Sequence, residues 1–327
     1  MTHPWLQNAE SEFADRLKTG RLPHALLLSG PAESGKVELA QRFLAAVLCL
    51  ENSYPACGQC RSCQLAASGA HPDGHVVTFE EHPKTGDLRK ELVIDQIRRL
   101  TSSLLLTNTI SQRKGALVHP VEAMNTHTAN ALLKTLEEPP GETVMILVSS
   151  APARLPATIR SRCQRLDVRQ PGAETALEWL SGQLAVDRPR AEKALQAAAG
   201  SPLRAKRMLD DGGVDQFVEL GDTLDALLAG SGTPLQAMSV LSDIDPDRLW
   251  AWISLRAAAE TRAAAGNGMV AKQLSLLQQQ ADRSRGLART PVRKDLLLQD
   301  WLIQWLSLIH ISEPTRPNAP SRMPSSA

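Results

Sequence analysis

The residues Gly30-Pro-Ala-Glu-Ser-Gly35-Lys36 follow a short apolar run and open an apolar-periodic stretch. That is the strand, loop and helix setting in which backbone N–H groups and a lysine cradle phosphates. A working loop puts a Ser or Thr hydroxyl on Mg²⁺ directly after the lysine. Here that position is Val37, which offers no oxygen. Hydrolysis also needs an acidic pair at the end of a later strand, one acid for Mg²⁺ and one for the attacking water. Counting back from the helical stretch Asn130 to Pro140 places that pair at His119 and Pro120. Proline can neither ligate nor act as a base, and Glu122 lies beyond the strand end in this register. Losing hydroxyl and carboxylate together removes the protein ligands of Mg²⁺. Two other readings stay open: phosphates held by Gly30, Gly35 and Lys36 without turnover, or an active ATPase in a different register.

Two further groups carry chemistry. Cys49, Cys57, Cys60 and Cys63 offer four thiolates in one short segment, with Gly58 as a turn residue. Four closely spaced cysteines suit a closed, tetrahedral, structural Zn²⁺ site, and the alternative is four unmetallated thiols. The fifth, Cys163, reads as a buried small hydrophobe. Its neighbour Arg162 sits just before a strand. An arginine there has two readings, a surface ion pair or a finger reaching the γ-phosphate in an adjacent subunit.

The elements that must position these residues alternate. Apolar runs at 25–29, 75–79, 116–119, 144–148 and 165–168 predict strands, with helices over 36–50, 92–106 and 126–138 between them. Asn125 caps the last of these, and Pro139-Pro140 stops it. Strands separated by helices predict an α/β domain with a parallel sheet over 1–169. From 170 to 210 only short helices are expected. Longer ones follow, near 214–229, 234–242, 246–265, 269–284 and 291–306, making a bundle over 211–306. Trp301 and Trp305 stand one turn apart, and with Trp250 and Trp252 they read as core or intersubunit surface. The helical pattern is expected to fail at Ser307. Leu308 to Pro317 resembles translated sequencing-adapter read-through, so 307–327 reads as a non-native or disordered tail.

Composition limits the function. The 327 residues are 43 % hydrophobic, enough for sizeable cores, and carry a net charge of +1. That balance argues against a protein that coats nucleic acid, and 3 % aromatic residues argue against base-stacking platforms. A Zn-dependent nucleic-acid module built on the cysteines fits these figures poorly. No apolar run approaches the ~20 residues of a membrane span, and Met1 to Glu12 lacks a signal pattern, so a cytoplasmic protein is expected.

Gly20 to Pro31, the four cysteines, Asn130 to Pro140 and Ser161-Arg162-Cys163 occur in this order in bacterial clamp-loader AAA+ subunits, which this chain resembles over about residues 1–306. Two kinds of subunit share the set. The gamma and tau motors keep a Thr-ending loop and an Asp-Glu pair, and the other kind has lost both while keeping Ser-Arg-Cys. Val37, His119 and Pro120 place this chain with the second kind. The resemblance implies an AAA+ sheet domain with a Zn²⁺ module, a helical lid and a helical collar. It implies a ring of five with gamma/tau and delta subunits, acting on a sliding clamp and primed DNA. It makes Arg162 a finger in trans on a neighbour's ATP, and Ser149 or Ser150 the polar sensor at the end of the fourth strand. The lid's sensor arginine falls on Leu203, with Arg204 one place off.

Overall fold

The computed structural model describes residues 3–288 and 290–312. The chain forms two compact units, one of Met1–Val186 with Gly200–Arg204, the other of Asp187–Ala199 with the residues from Ala205 on.

In the first unit, β1 (Ala25–Ser29), β2 (Gly74–Val77), β3 (Lys114–Val118), β4 (Thr143–Ser149) and β5 (Gln164–Asp167) form one sheet in the order β2-β3-β4-β1-β5. Every pairing is parallel, with Leu26 opposite Ile146 and Gln164, and Ala116 opposite Met145 and His75. A parallel sheet must be covered on both faces, so its inner strands are mostly apolar, and β1, β3 and β4 are buried along their whole length. Side chains alternate between the faces. Leu26, Leu28, Ile146 and Val148 meet α1 (Gln7–Lys18) and α2 (Lys36–Leu48) on one side. Leu27, Ala116, Met145 and Leu147 meet α4 (Ile94–Leu105) and α5 (Thr126–Glu137) on the other. Phe13 of α1 stacks on Phe43 of α2 with ring centroids 3.9 Å apart. Gly30 lets β5 approach the end of β1, since a Cβ there would lie 2.2 Å from the Val168 carbonyl oxygen.

The expected strands are present, shifted by at most two residues, and the α/β phosphate-loop sheet that the AAA+ resemblance implies is the fold of this unit. Asn125 caps α5, its side chain accepting from the Thr128 N–H at 3.0 Å. Helix α1 was not among the expectations, although Ala9, Phe13 and Leu17 form its buried stripe at four-residue spacing. The short helices α3 (Arg61–Ala67), α6 (Ala157–Arg160) and α7 (Ala173–Gln183) complete this unit.

The second unit is helical: α8 (Arg188–Ala197), most of α9 (Pro202–Asp210), α10 (Gly213–Leu228), α11 (Pro234–Leu241), α12 (Pro246–Ala263), α13 (Gly268–Leu287) and α14 (Lys294–Ser312). Trp250, Trp252, Trp301 and Trp305 are fully buried, as core. Three of their indole N–H groups donate to carbonyls: Trp252 to Ala197, Trp301 to Leu277 and Trp305 to Leu224. One expectation is corrected: helix α14 does not fail at Ser307 but runs to Ser312. Leu308 is buried and extends the stripe of Trp301, Leu302 and Trp305, so packing carries the helix past Ser307. The rest of the expected tail, 313–327, lies outside the described residues. Among the described residues no helix is long and apolar enough to cross a membrane.

Candidate functional site

The phosphate loop connects β1 to α2, as its motif requires. Gly35 takes the left-handed conformation at the start of α2 with φ +81°, and Glu33 does so without being glycine, with φ +54°. Lys36 is 3 % exposed, and its amine donates to the Pro31 carbonyl and to Ser34 Oγ. Burial lowers its pKa to about 8, against the charges of Glu122 and Glu38 that oppose the fall. The aromatic residues of the N-terminus lie against the same loop. Trp5 donates its indole N–H to the Ser34 carbonyl at 3.0 Å, His3 stacks on Trp5, and Trp179 of α7 meets both edge-on. A Cβ on Gly35 would lie 3.0 Å from the His3 ring.

Val37, directly after the loop lysine, packs against the apolar cluster between α1, α2 and the sheet. His119 and Pro120 directly follow β3, in the place where the acidic pair was sought. Burial lowers the His119 pKa, with Glu38 opposing. Glu122 lies in the short turn Val121–Ala123, where its Oε1 accepts from the Ser150 N–H at 2.8 Å. Of the two sensor candidates, Ser149 is buried at the end of β4 and its Oγ accepts from the Ala151 N–H, while Ser150 is exposed.

The four cysteines converge. Their sulfurs all lie within 4.8 Å of one another, and all are free of disulfides. Four tetrahedral ligands at ~2.3 Å from one Zn²⁺ stand ~3.8 Å apart. Cys57 and Cys63 have that spacing, at 3.8 Å. The backbone is arranged for thiolates: Cys60 N–H donates to the Cys57 sulfur, Cys63 N–H to that of Cys60, and Cys57 N–H to that of Cys49. Burial pushes the Cys49 thiol up, but the N–H groups of Cys57 and Glu51 outweigh it and bring the pKa down to about 6. Cys63 is pushed up to about 12, by burial and then by its hydrogen bond with Cys60. A divalent ion would displace such a proton and hold all four as thiolates. The residues therefore fit a structural zinc, with no ligand position left for catalytic water. Cys163 stands apart in the core, raised to about 11 by burial.

Arg162 lies at the turn between α6 and β5, with its side chain about a third exposed. Its Nη2 pairs with Glu137 Oε1 at the end of α5 at 2.6 Å, and its Nη1 donates to the Thr158 carbonyl at 3.0 Å.

The family described as "DNA polymerase III, delta subunit" matches residues 5–172. The chain is 35 % identical over 309 residues to DNA polymerase III subunit delta' of Pseudomonas aeruginosa, a match covering 92 % of this chain and 89 % of that one. This chain belongs to the DNA polymerase III delta' family. The delta' subunit of Yersinia pestis is 30 % identical over 336 residues, with 93 % and 95 % covered. DNA polymerase III subunit tau of Salmonella typhimurium is also similar, 30 % identical over 319 residues, but only 47 % of its length is covered. The Pseudomonas aeruginosa and Yersinia pestis matches thus span nearly the whole of both proteins.

Two features of this delta' family member escaped the sequence. Arg204, one place off the sensor position, donates to the Glu33 carboxylate on the phosphate loop at 3.1 Å. The two lie 171 residues apart, and no local pattern marks the pair. The second is a buried polar knot beside the cysteines. Ser62 and Ser111 both donate to the Leu48 carbonyl, at 2.6 and 2.8 Å, and both meet His71 Nε2. His71 Nδ1 accepts from the Asp73 N–H, so its proton sits on Nε2 and it serves as a donor, not as a base for either serine. This is a structural knot rather than a nucleophilic triad.

Proposed function

We propose that this chain is a clamp-loader subunit that does not hydrolyse ATP itself and that lends Arg162 to the ATP site of a neighbouring gamma/tau subunit. The observation that carries the reading is what occupies the two positions where Mg²⁺ ligands were expected: Val37 packs into hydrocarbon, and His119-Pro120 follow β3. Supporting it, Arg162 stands at the surface on a short turn, where a partly exposed ion pair and one carbonyl hold its side chain. Such pairs are worth ~1 kcal/mol or less, a small barrier to a guanidinium that must reach a phosphate.

In this reading Gly30, Gly35 and Lys36 are a vestigial loop, and Cys49, Cys57, Cys60 and Cys63 hold a structural Zn²⁺. Residues 1–169 are the sheet domain, 170–210 a lid and 211–306 a collar that joins a pentameric ring with gamma/tau and delta. That ring opens the sliding clamp and closes it on primed DNA in the cytoplasm. The chain's own part is to position a positive charge where negative charge develops during phosphoryl transfer.

The test has two arms. The chain alone with Mg·ATP is expected to show no turnover. A loader reconstituted with Arg162→Ala is expected to assemble normally but to lose ~10³-fold or more in hydrolysis at the adjacent site. Unchanged hydrolysis would remove the finger from Arg162. The second reading, an active motor of the gamma/tau type, is favoured by one observation: the Glu122 charge acts on buried Lys36. Turnover by the wild-type chain that Glu122→Gln abolishes would establish it.

A further inference from the structure

Glu33 holds a left-handed backbone conformation that costs a non-glycine residue ~1 kcal/mol. Two contacts from one distant segment meet at this residue. Ser201 Oγ donates to the Glu33 carbonyl at 3.0 Å, and Arg204 Nε donates to the Glu33 carboxylate at 3.1 Å. The carboxylate and guanidinium side chains are each about a quarter exposed, which shields their pair from solvent more than a surface ion pair. Ser201 also accepts from the Arg204 N–H, so segment and loop are cross-tied by side chain and backbone together. The lysine of the loop plays no part in this, being committed to Pro31 and Ser34.

A guanidinium recognises a carboxylate and a phosphate by the same planar, charge-assisted donors. We propose that the Glu33 carboxylate is a built-in anion for Arg204, fixing the segment Gly200–Arg204 on the phosphate loop by an intramolecular contact, so that its placement does not depend on nucleotide. Where a nucleotide-dependent protein would order such a segment with a terminal phosphate, this chain supplies the negative charge from its own loop. The inference deepens the non-hydrolysing reading and rests on it.

Hydrogen exchange on the full chain tests it, read over residues 200–204 with the β1 amides as a folding control. In the wild type, adding Mg·ATP is expected to leave exchange in the segment unchanged. Glu33→Gln and Arg204→Gln are each expected to speed it by roughly threefold to tenfold with β1 unaffected, and the double variant to go no faster than either single one. Protection of the wild-type segment by ATP would overturn the proposal, and so would single-variant effects that multiply in the double variant. Glu33→Gly separates the carboxylate from the strained backbone: if it exchanges as slowly as the wild type, strain and not charge governed the segment, and the proposal fails. ATP turnover measured in the same samples reports on the non-hydrolysing reading separately, since exchange does not depend on it.

Discussion

Lys36 is a cation buried on its own loop, and burial lowers its pKa from the usual 10.5 to about 8. The unfolded chain therefore binds a proton here more tightly than the folded one. Below pH 8 the lysine is charged in both states and the full desolvation cost stands. As pH rises from about 8 to 10.5 the folded lysine is already neutral while the unfolded one is still charged, and the cost fades. The stability of the wild type minus that of Lys36→Met should thus rise through this window, read from denaturant melts at pH 7, 8, 9 and 10. A difference that stays flat would mean that the amine is solvated in the folded protein. Subtracting the variant cancels every contribution that the two chains share.

Between elements, the cysteine segment and the knot behind it join the end of α2, the start of α3 and the start of β2. Asp73 sits at the centre, its two carboxylate oxygens accepting from the N–H groups of Thr109, Ile110 and Ser111 at 2.7–2.8 Å. Burial pushes its pKa up, but these three donors outweigh it and hold the carboxyl below its usual range. Its stabilising share is present above the ordinary carboxylate pKa and is lost only as pH falls through the depressed one. Asp73→Ala leaves three inward-facing donors unpaired and should cost at least ~3 kcal/mol, visible as a lowered denaturation midpoint at neutral pH. The cysteines give a separate prediction. The purified chain should carry one zinc, and Cys60→Ser should lose it together with ordered exchange protection in α3. Cys163→Ser should keep it, because that thiol lies in the core away from the cluster. A chain that carries no zinc and melts unchanged with a chelator would leave the four thiols without a metal.

For the whole molecule, the even balance of 36 basic and 35 acidic side chains predicts weak DNA binding by the isolated chain, with a shallow dependence on salt. A steep slope would point instead to a concentrated basic face. Much of the architecture was legible because it follows from short-range rules. Buried strands such as Ala25–Ser29 are continuous apolar runs, and α5 is bracketed by Asn125 and Pro139. The cysteine cluster was legible because its ligands come from one short segment. What stayed hidden depends on contacts across the chain: Arg204 gains meaning only from Glu33, and the continuation of α14 past Ser307 only from the surface that buries Leu308. The polar knot was hidden for the same reason, since Ser62, His71 and Ser111 are unremarkable one at a time.

The six tryptophans are divided unevenly between the two compact units. Trp5 and Trp179 are partly exposed beside the phosphate loop, packed edge-on with His3 lying against them, while Trp250, Trp252, Trp301 and Trp305 are sealed in the helical unit. The protein is therefore optically two-coloured. The sealed indoles should emit at shorter wavelength than the pair by the loop. With Trp5 and Trp179 changed to Phe, the remaining fluorescence becomes a private gauge of the helical unit. The difference from the wild type then records events at the loop, such as the arrival of a ligand, with no label attached.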